Sequence, residues 1–228
     1  MTMPVRLEGV VSVPLACVAL ALALAAIAPA RAEDVNDVRN LRIGMPVAEL
    51  PATGYDGFAC AADAAIKLAG WSDYKRCPAD ATGRRAVSFR YDEADNPLAR
   101  VNEGYTGTRV GGHPVLIALI VGEDARVAAI RIDTDPHARL YMHKKAFLLA
   151  EQVKERYGQD GWECTEASPT AAEQPLGGMF IKQHCEKTTP ARHLVLDREL
   201  FRNPDDDPRT FVNATHLLIE AGGGSAGR

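Results

Sequence analysis

The residues of this chain that could do chemistry are its six histidines, its five cysteines and a run of three aspartates. Histidine pairs hold metals or relay protons when they share a face, as in His-x-His or at a four-residue helical spacing. None of the six stands so, and no His-Glu-x-x-His occurs. His184 adjoins Cys185, while His193 and His216 fall in alternating runs, so they read as ordinary strand residues. Asp205, Asp206 and Asp207 could offer oxygens to a hard cation such as Ca2+. They lie between Pro204 and Pro208, match no calcium-loop pattern and read as solvated carboxylates, leaving a metal-binding accessory protein as the alternative function. There is no Gly-x-Ser-x-Gly motif and no dinucleotide-binding pattern. Gly107-Thr108-Arg109-Val110-Gly111-Gly112 lacks the lysine and following helix of a phosphate cradle. No cofactor and no catalytic residue is expected, and a hydrolase would need a pocket with converging titratable groups.

The cysteines point to structure instead. Asp56-Gly57-Phe58-Ala59-Cys60 returns as Asp160-Gly161-Trp162-Glu163-Cys164, and each copy is followed by a second cysteine, Cys77 or Cys185. Thr82 and Arg84 follow the first pair, Thr189 and Arg192 the second, and an alternating apolar run comes next in both. This reads as a duplicated unit with one disulfide per copy, Cys60 with Cys77 and Cys164 with Cys185. Each bridge would contribute about 3 kcal/mol through loop-closure entropy. Paired cysteines leave no thiolate for catalysis.

Residues 1–32 have the make-up of a secretory signal peptide: Arg6, an apolar stretch from Val10 to Ile27, and the cleavage-type sequence Ala30-Arg31-Ala32. Cleavage would remove Cys17 and any membrane anchor, leaving four cysteines in an oxidising compartment, expected to be the periplasm. Without Arg6, Glu8 and Arg31 the formal charge is about −5. That balance argues against nucleic acid as a partner.

The expected elements follow from periodicity. Leu41-Arg42-Ile43-Gly44-Met45-Pro46 reads as an extended stretch and turn leading into a brief helix. Ala61 to Ala69 is alanine-rich and reads as a short helix; Trp71 and Tyr74 beyond it should pack under the disulfide. Ala86 to Tyr91 alternates as a strand, placing Arg84, Ala86, Ser88 and Arg90 on one face. Pro114 to Val121 and Val127 to Ile132 form the clearest hairpin. Asp135-Pro136 opens a helix predicted to run to Tyr157, with Met142, Ala146, Leu149 and Val153 on one face. Strands are expected from Gly178 to Glu186, Arg192 to Asp197 and Phe211 to Ile219. The predicted organisation is a signal peptide (1–32), two repeat units (33–135 and 136–221) and a disordered tail (222–228). The predicted fold class is α+β: two tandem units, each a helix packed on antiparallel strands.

The Gly44-Met45 opening, the cysteine loop and the antiparallel strands after it resemble one repeat of the β-lactamase inhibitor protein family. That resemblance implies an exported protein of two tandem helix-on-sheet repeats with a disulfide in each. Gly44-Met45 lacks the family's usual threonine after Met and the second repeat has no Gly-Met, so no inhibitory residue carries over.

The function expected from these features is non-enzymatic binding of a periplasmic protein or a small ligand. The stretch from Asp92 to Gly112 is long for a connection inside a compact domain, and such loops commonly carry function. Tyr105, Arg109 and His113 are its expected contact residues, since aromatic and arginine side chains anchor interfaces. Arg84 and Arg90, on one face of their strand, offer a second surface. Phe58 and Trp162, at equivalent repeat positions, are assigned to the cores.

Overall fold

The computed structural model describes residues 36–92, 108–205, 207 and 210–222. The signal-type segment, Tyr105, Asp206 and residues 223–228 of the tail lie outside the described residues. Ten strands form one antiparallel sheet: β1 (Tyr55–Cys60), β2 (Asp63–Lys67), β3 (Arg85–Tyr91), β4 (Thr108–Val110), β5 (His113–Val121), β6 (Val127–Thr134), β7 (Glu163–Glu166), β8 (Ile181–Thr188), β9 (Arg192–Phe201) and β10 (Val212–Ala221). Their order is β2-β1-β3-β5-β6-β10-β9-β8-β7, and β4 pairs with the start of β5. Among the described residues no helix is long and apolar enough to cross a membrane.

The expected α+β architecture of two helix-on-sheet units is therefore corrected. In the first half the only helical segments described are two 3-10 turns, Val47–Glu49 and Trp71–Arg76. The α-helices, α1 (Leu140–His143) and α2 (Phe147–Tyr157), both lie between β6 and β7. The boundary read at residue 135 falls between β6 and α1, and the sheet runs across it because β6 pairs with β10 along five residue pairs. The physical reason lies in the cover. A helix is needed only where nothing else can bury the sheet's apolar face, and here aromatic side chains do so. Trp71 packs edge-on against Phe58, Phe89 and Tyr55, with ring centroids 4.6, 4.9 and 5.4 Å apart, and its Nε1 donates to the Pro51 carbonyl at 3.0 Å.

The N-terminal segment closes the rest of that side. Arg42-Ile43-Gly44-Met45 is a turn whose Gly44 has φ +81°, a conformation that glycine adopts without strain. The chain then pairs with the start of β6, Gly44 N–H donating to the Val127 carbonyl at 2.8 Å. Asp37 ties the segment to β9: one carboxylate oxygen accepts from Arg192 Nε at 2.6 Å and the other from Ile43 N–H at 2.8 Å. In the second half α2 lays Leu149, Ala150 and Val153 on the sheet. Thr215 Oγ1 on β10 donates to the Ala146 carbonyl at 3.0 Å, fixing the helix start.

Two further expectations change. Ala61 to Ala69 is not a helix: Asp63–Lys67 is strand β2, paired to β1, so sheet pairing outweighs alanine's helical propensity. The single helix from Asp135 to Tyr157 is instead α1 and α2 with a break between, ended by Gly158. The hairpin of β5 and β6 forms as read, with six residue pairs in register from Val115–Thr134 to Ile120–Ala129 and a register shift before Val121–Val127.

Both disulfides form, Cys60–Cys77 and Cys164–Cys185, closing 17 and 21 residues. They sit differently. Cys60 ends β1 and Cys77 ends the 3-10 turn, both fully buried beside Trp71. Cys164 and Cys185 are directly opposed partners of β7 and β8 at the sheet's edge.

Candidate open-face binding site

Alternation divides the sheet into two faces. Val87, Phe89, Ile117, Leu119, Ile130, Ile132, Leu194, Leu196, Leu217 and Ile219 are buried and face the helix and the N-terminal segment. The residues between them point the other way, onto the face opposite α2.

Register builds a row across that face. Leu116 opposes Asp133, Asp133 opposes His216, His216 opposes Asp197, and Asp197 opposes His184. Each pairing is local to two strands, yet together they place carboxylate and imidazole in alternation across β6, β10, β9 and β8. The contacts close accordingly: His216 Nδ1 to Asp133 Oδ1 at 2.8 Å, and His184 Nδ1 to Asp197 Oδ1 at 2.6 Å. A second chain runs beside the first. His184 Nε2 meets Glu186 Oε1 at 3.1 Å, His193 Nε2 meets Glu186 Oε2 at 3.4 Å, and His193 Nδ1 lies 3.8 Å from Glu220 Oε2.

The arginines complete it. Arg84 Nη1 binds Glu220 Oε1 at 2.8 Å, joining the residue just before β3 to β10 over the ends of β5 and β6. Ala129, cross-strand partner of Glu220, is fully buried although it lies on this face, as a residue beneath such a bridge should be. Arg90 Nε binds Asp56 Oδ1 at 3.1 Å, and Arg131 Nε binds Asp133 Oδ2 at 3.1 Å. In the middle stands Leu116, an apolar side chain 36% exposed among charged neighbours.

Two hollows of about 450 and 650 Å3 mark this face, and both are lined by Leu116, Arg131 and Asp133. The first extends over Ser88 and Arg90, the second toward His143 and Phe211. They form one trough with Leu116 at its centre.

The electrostatics follow from the pairing. The hydrogen bonds to Glu186 and then to Asp197 raise the His184 pKa above its ordinary value. Asp133 does the same for His216 against the opposing effect of burial. Glu186, bonded to His184 and His193, is lowered below the usual carboxylate range. A carboxylate hydrogen-bonded to an imidazole favours the protonated ring over the neutral one.

The sequence-based site residues divide between the two faces. Arg84 and Arg90 lie on the open face, as alternation requires. Arg109 belongs to β4 and lines a cavity on the opposite side of the sheet. His113 is corrected from contact residue to core residue: it is 6% exposed in β5, and burial, then Lys145, lowers its pKa. The end of the expected Asp92 to Gly112 loop is also strand, since β4 pairs with β5 through the Gly111-Gly112 turn. Asp205 and Asp207 are exposed. Among the described residues no group of three or more His, Cys, Asp or Glu is placed to hold a metal ion. Asp197, Leu116 and Arg131 were not singled out from the sequence, while His184 and His216 were read there as ordinary strand residues. The signal for them was the alternation in their strands, which sets each between core residues.

Compared with known proteins, the chain matches no family model, no curated protein and no solved structure.

Proposed function

We propose that the chain is an exported, non-enzymatic binding protein that holds another protein of its compartment on the open face of the sheet. The observation that carries this reading is the trough centred on Leu116: an exposed apolar residue ringed by Arg131, Asp133, Arg90 and His216. An apolar centre with a charged rim is the ordinary anatomy of a protein interface. Alternating ion pairs add specificity, since a wrong partner would leave desolvated charges unpaired.

Non-enzymatic binding is favoured because the row lacks the features of catalysis. A general base needs a free ring nitrogen with a reacting group beside it. Both ring nitrogens of His184 are taken, by Asp197 and Glu186, His216 Nδ1 is taken by Asp133, and the cysteines are bridged. Export is favoured by the signal-type N-terminus together with the two disulfides.

The test is capture. The oxidised chain from Glu33 onward is immobilised and challenged with a periplasmic extract of the organism that encodes it. Leu116→Gln and Arg131→Glu should each weaken retention of the captured protein at least tenfold, about 1.4 kcal/mol. Leu148→Gln, at an exposed position of α2 on the other side, should leave it unchanged. Retention insensitive to both open-face variants would move the binding surface elsewhere.

A further inference from the structure

Alternation places Asn213, Thr215, Leu217 and Ile219 of β10 in one row on the helix-covered face. The first two are polar, yet both are buried, at 3% and 0% exposed. Thr215 is satisfied, since its Oγ1 donates to the Ala146 carbonyl. Asn213 is not: its Oδ1 is buried and has no hydrogen-bond partner among the described atoms. A buried acceptor left in this state is costly, and leucine, with the same shape, would avoid the cost.

Asn213 lines a hollow of about 530 Å3, within the size range of small-molecule sites. The other walls are apolar: Leu140 of α1, Phe147 of α2, Leu176 and Met179 from the segment before β8, Leu200 of β9, and Phe211 beside the start of β10. His143 holds the Phe211 ring in place by stacking on it at 4.9 Å. Lys144 is the one ionisable residue among the described lining residues, and an exposed lysine can lend its stem to such a wall while keeping its charge in water. Leu140 and Met179 are also 44% and 60% exposed, so the apolar surface continues to the solvent, where a ligand can enter.

We infer that this hollow is a binding site for a small uncharged aromatic molecule with one N–H or O–H donor, its rings against Phe147, Phe211 and Met179 and its donor toward Asn213. Aromatic rings and methionine sulfur favour ring partners. The acceptor at Asn213 asks for a donor, and a carboxylate head would offer it only another acceptor. An ammonium head would lose its water against apolar walls. Leu176 and Met179 line this hollow and neither hollow of the trough, so the inference stands apart from the proposed protein-binding face.

Ligand-observed NMR titration tests it, with indole as the probe and benzofuran as the control on the oxidised chain from Glu33 onward. Benzofuran has the shape of indole with a ring oxygen in place of the N–H. Indole should bind one-to-one with a Kd below about 1 mM, and benzofuran at least about tenfold more weakly. Asn213→Leu removes the acceptor while keeping the shape of the wall, and should bring the two affinities within about twofold of each other. Met179→Asp, at an exposed position, puts a carboxylate in the apolar wall and should weaken indole at least about fivefold, so it decides the matter if Asn213→Leu fails to fold. Each of four results would overturn the inference: no indole binding to the folded parent, equal binding of benzofuran, a preference for indole that survives in folded Asn213→Leu, or undiminished binding to folded Met179→Asp.

Discussion

His216 Nδ1 on β10 lies 2.8 Å from Asp133 Oδ1 on β6, although the two residues are 83 positions apart in the chain. The contact follows from register alone, since the two are directly opposed where the halves of the sheet join. It makes the seam polar on the open face, while Ile130 and Ile132 meet Ile219 and Leu217 on the buried face.

A pH dependence follows. The folded-state pKa values of His216 and His184 are raised. The stability they lend is complete below the unfolded value of about 6.5 and is lost as pH rises through the folded value. Glu186 has the opposite sign: lowered in the fold, it contributes above the unfolded carboxylate value of about 4.3 and loses that contribution as pH falls. The row therefore supports the fold best between roughly pH 4.5 and 6.5. The His216 side chain is 42% exposed, so solvent keeps its share below about 1 kcal/mol. Urea midpoints from pH 5 to 8.5 should fall more steeply for the parent than for a His184→Gln/His216→Gln double variant. Parallel profiles would contradict the coupling.

The disulfides should differ in worth despite similar loop lengths. Cys60→Ala/Cys77→Ala removes a buried bridge beside Trp71, and about 2–5 kcal/mol should be lost. Cys164→Ala/Cys185→Ala frees an exposed edge strand, and the loss should be smaller. Guanidinium unfolding of the two double variants measures the difference. Equal losses would mean that loop entropy, rather than burial, sets their contribution.

The aromatics that precede the first cysteine of each copy also divide. Phe58 packs on Trp71 at 4.6 Å within an aromatic cluster, whereas Trp162 stands at the sheet's edge, its Nε1 donating to the Gly158 carbonyl at 2.9 Å. Trp71→Ala should cost about 3–5 kcal/mol by opening a cavity, and Phe58→Ala somewhat less. Trp162→Ala should cost the least. Thermal melts of the three variants give the ranking, and a larger loss at Trp162 than at Trp71 would reverse this account of the core.

These contrasts show what could be read before folding. The β5–β6 hairpin was legible because Pro114–Val121 and Val127–Ile132 declare themselves within a few residues of each other. Both cysteine pairings were legible because the Asp-Gly-aromatic-x-Cys motif recurs. The sheet's continuity was not, since the β6–β10 pairing joins residues more than eighty positions apart and no local pattern encodes such a register. Spacing along the chain separated the histidines, while spacing across the strands brought His184 and His216 to either side of Asp197. Strand β2 was read as helix for a different reason: the propensity of Ala61, Ala62, Ala64 and Ala65 is local, and the pairing that outweighs it is not.

The central claim, that the open face is where a partner binds, is tested most directly by a photocrosslinking amino acid placed at Leu116 and, in a separate variant, at Leu148. With the periplasmic partner present, ultraviolet irradiation should produce a covalent adduct from position 116 and none from position 148. The adduct should disappear when Arg131→Glu is added. An adduct from position 148 with none from 116 would contradict the account and place the partner on the helix-covered side.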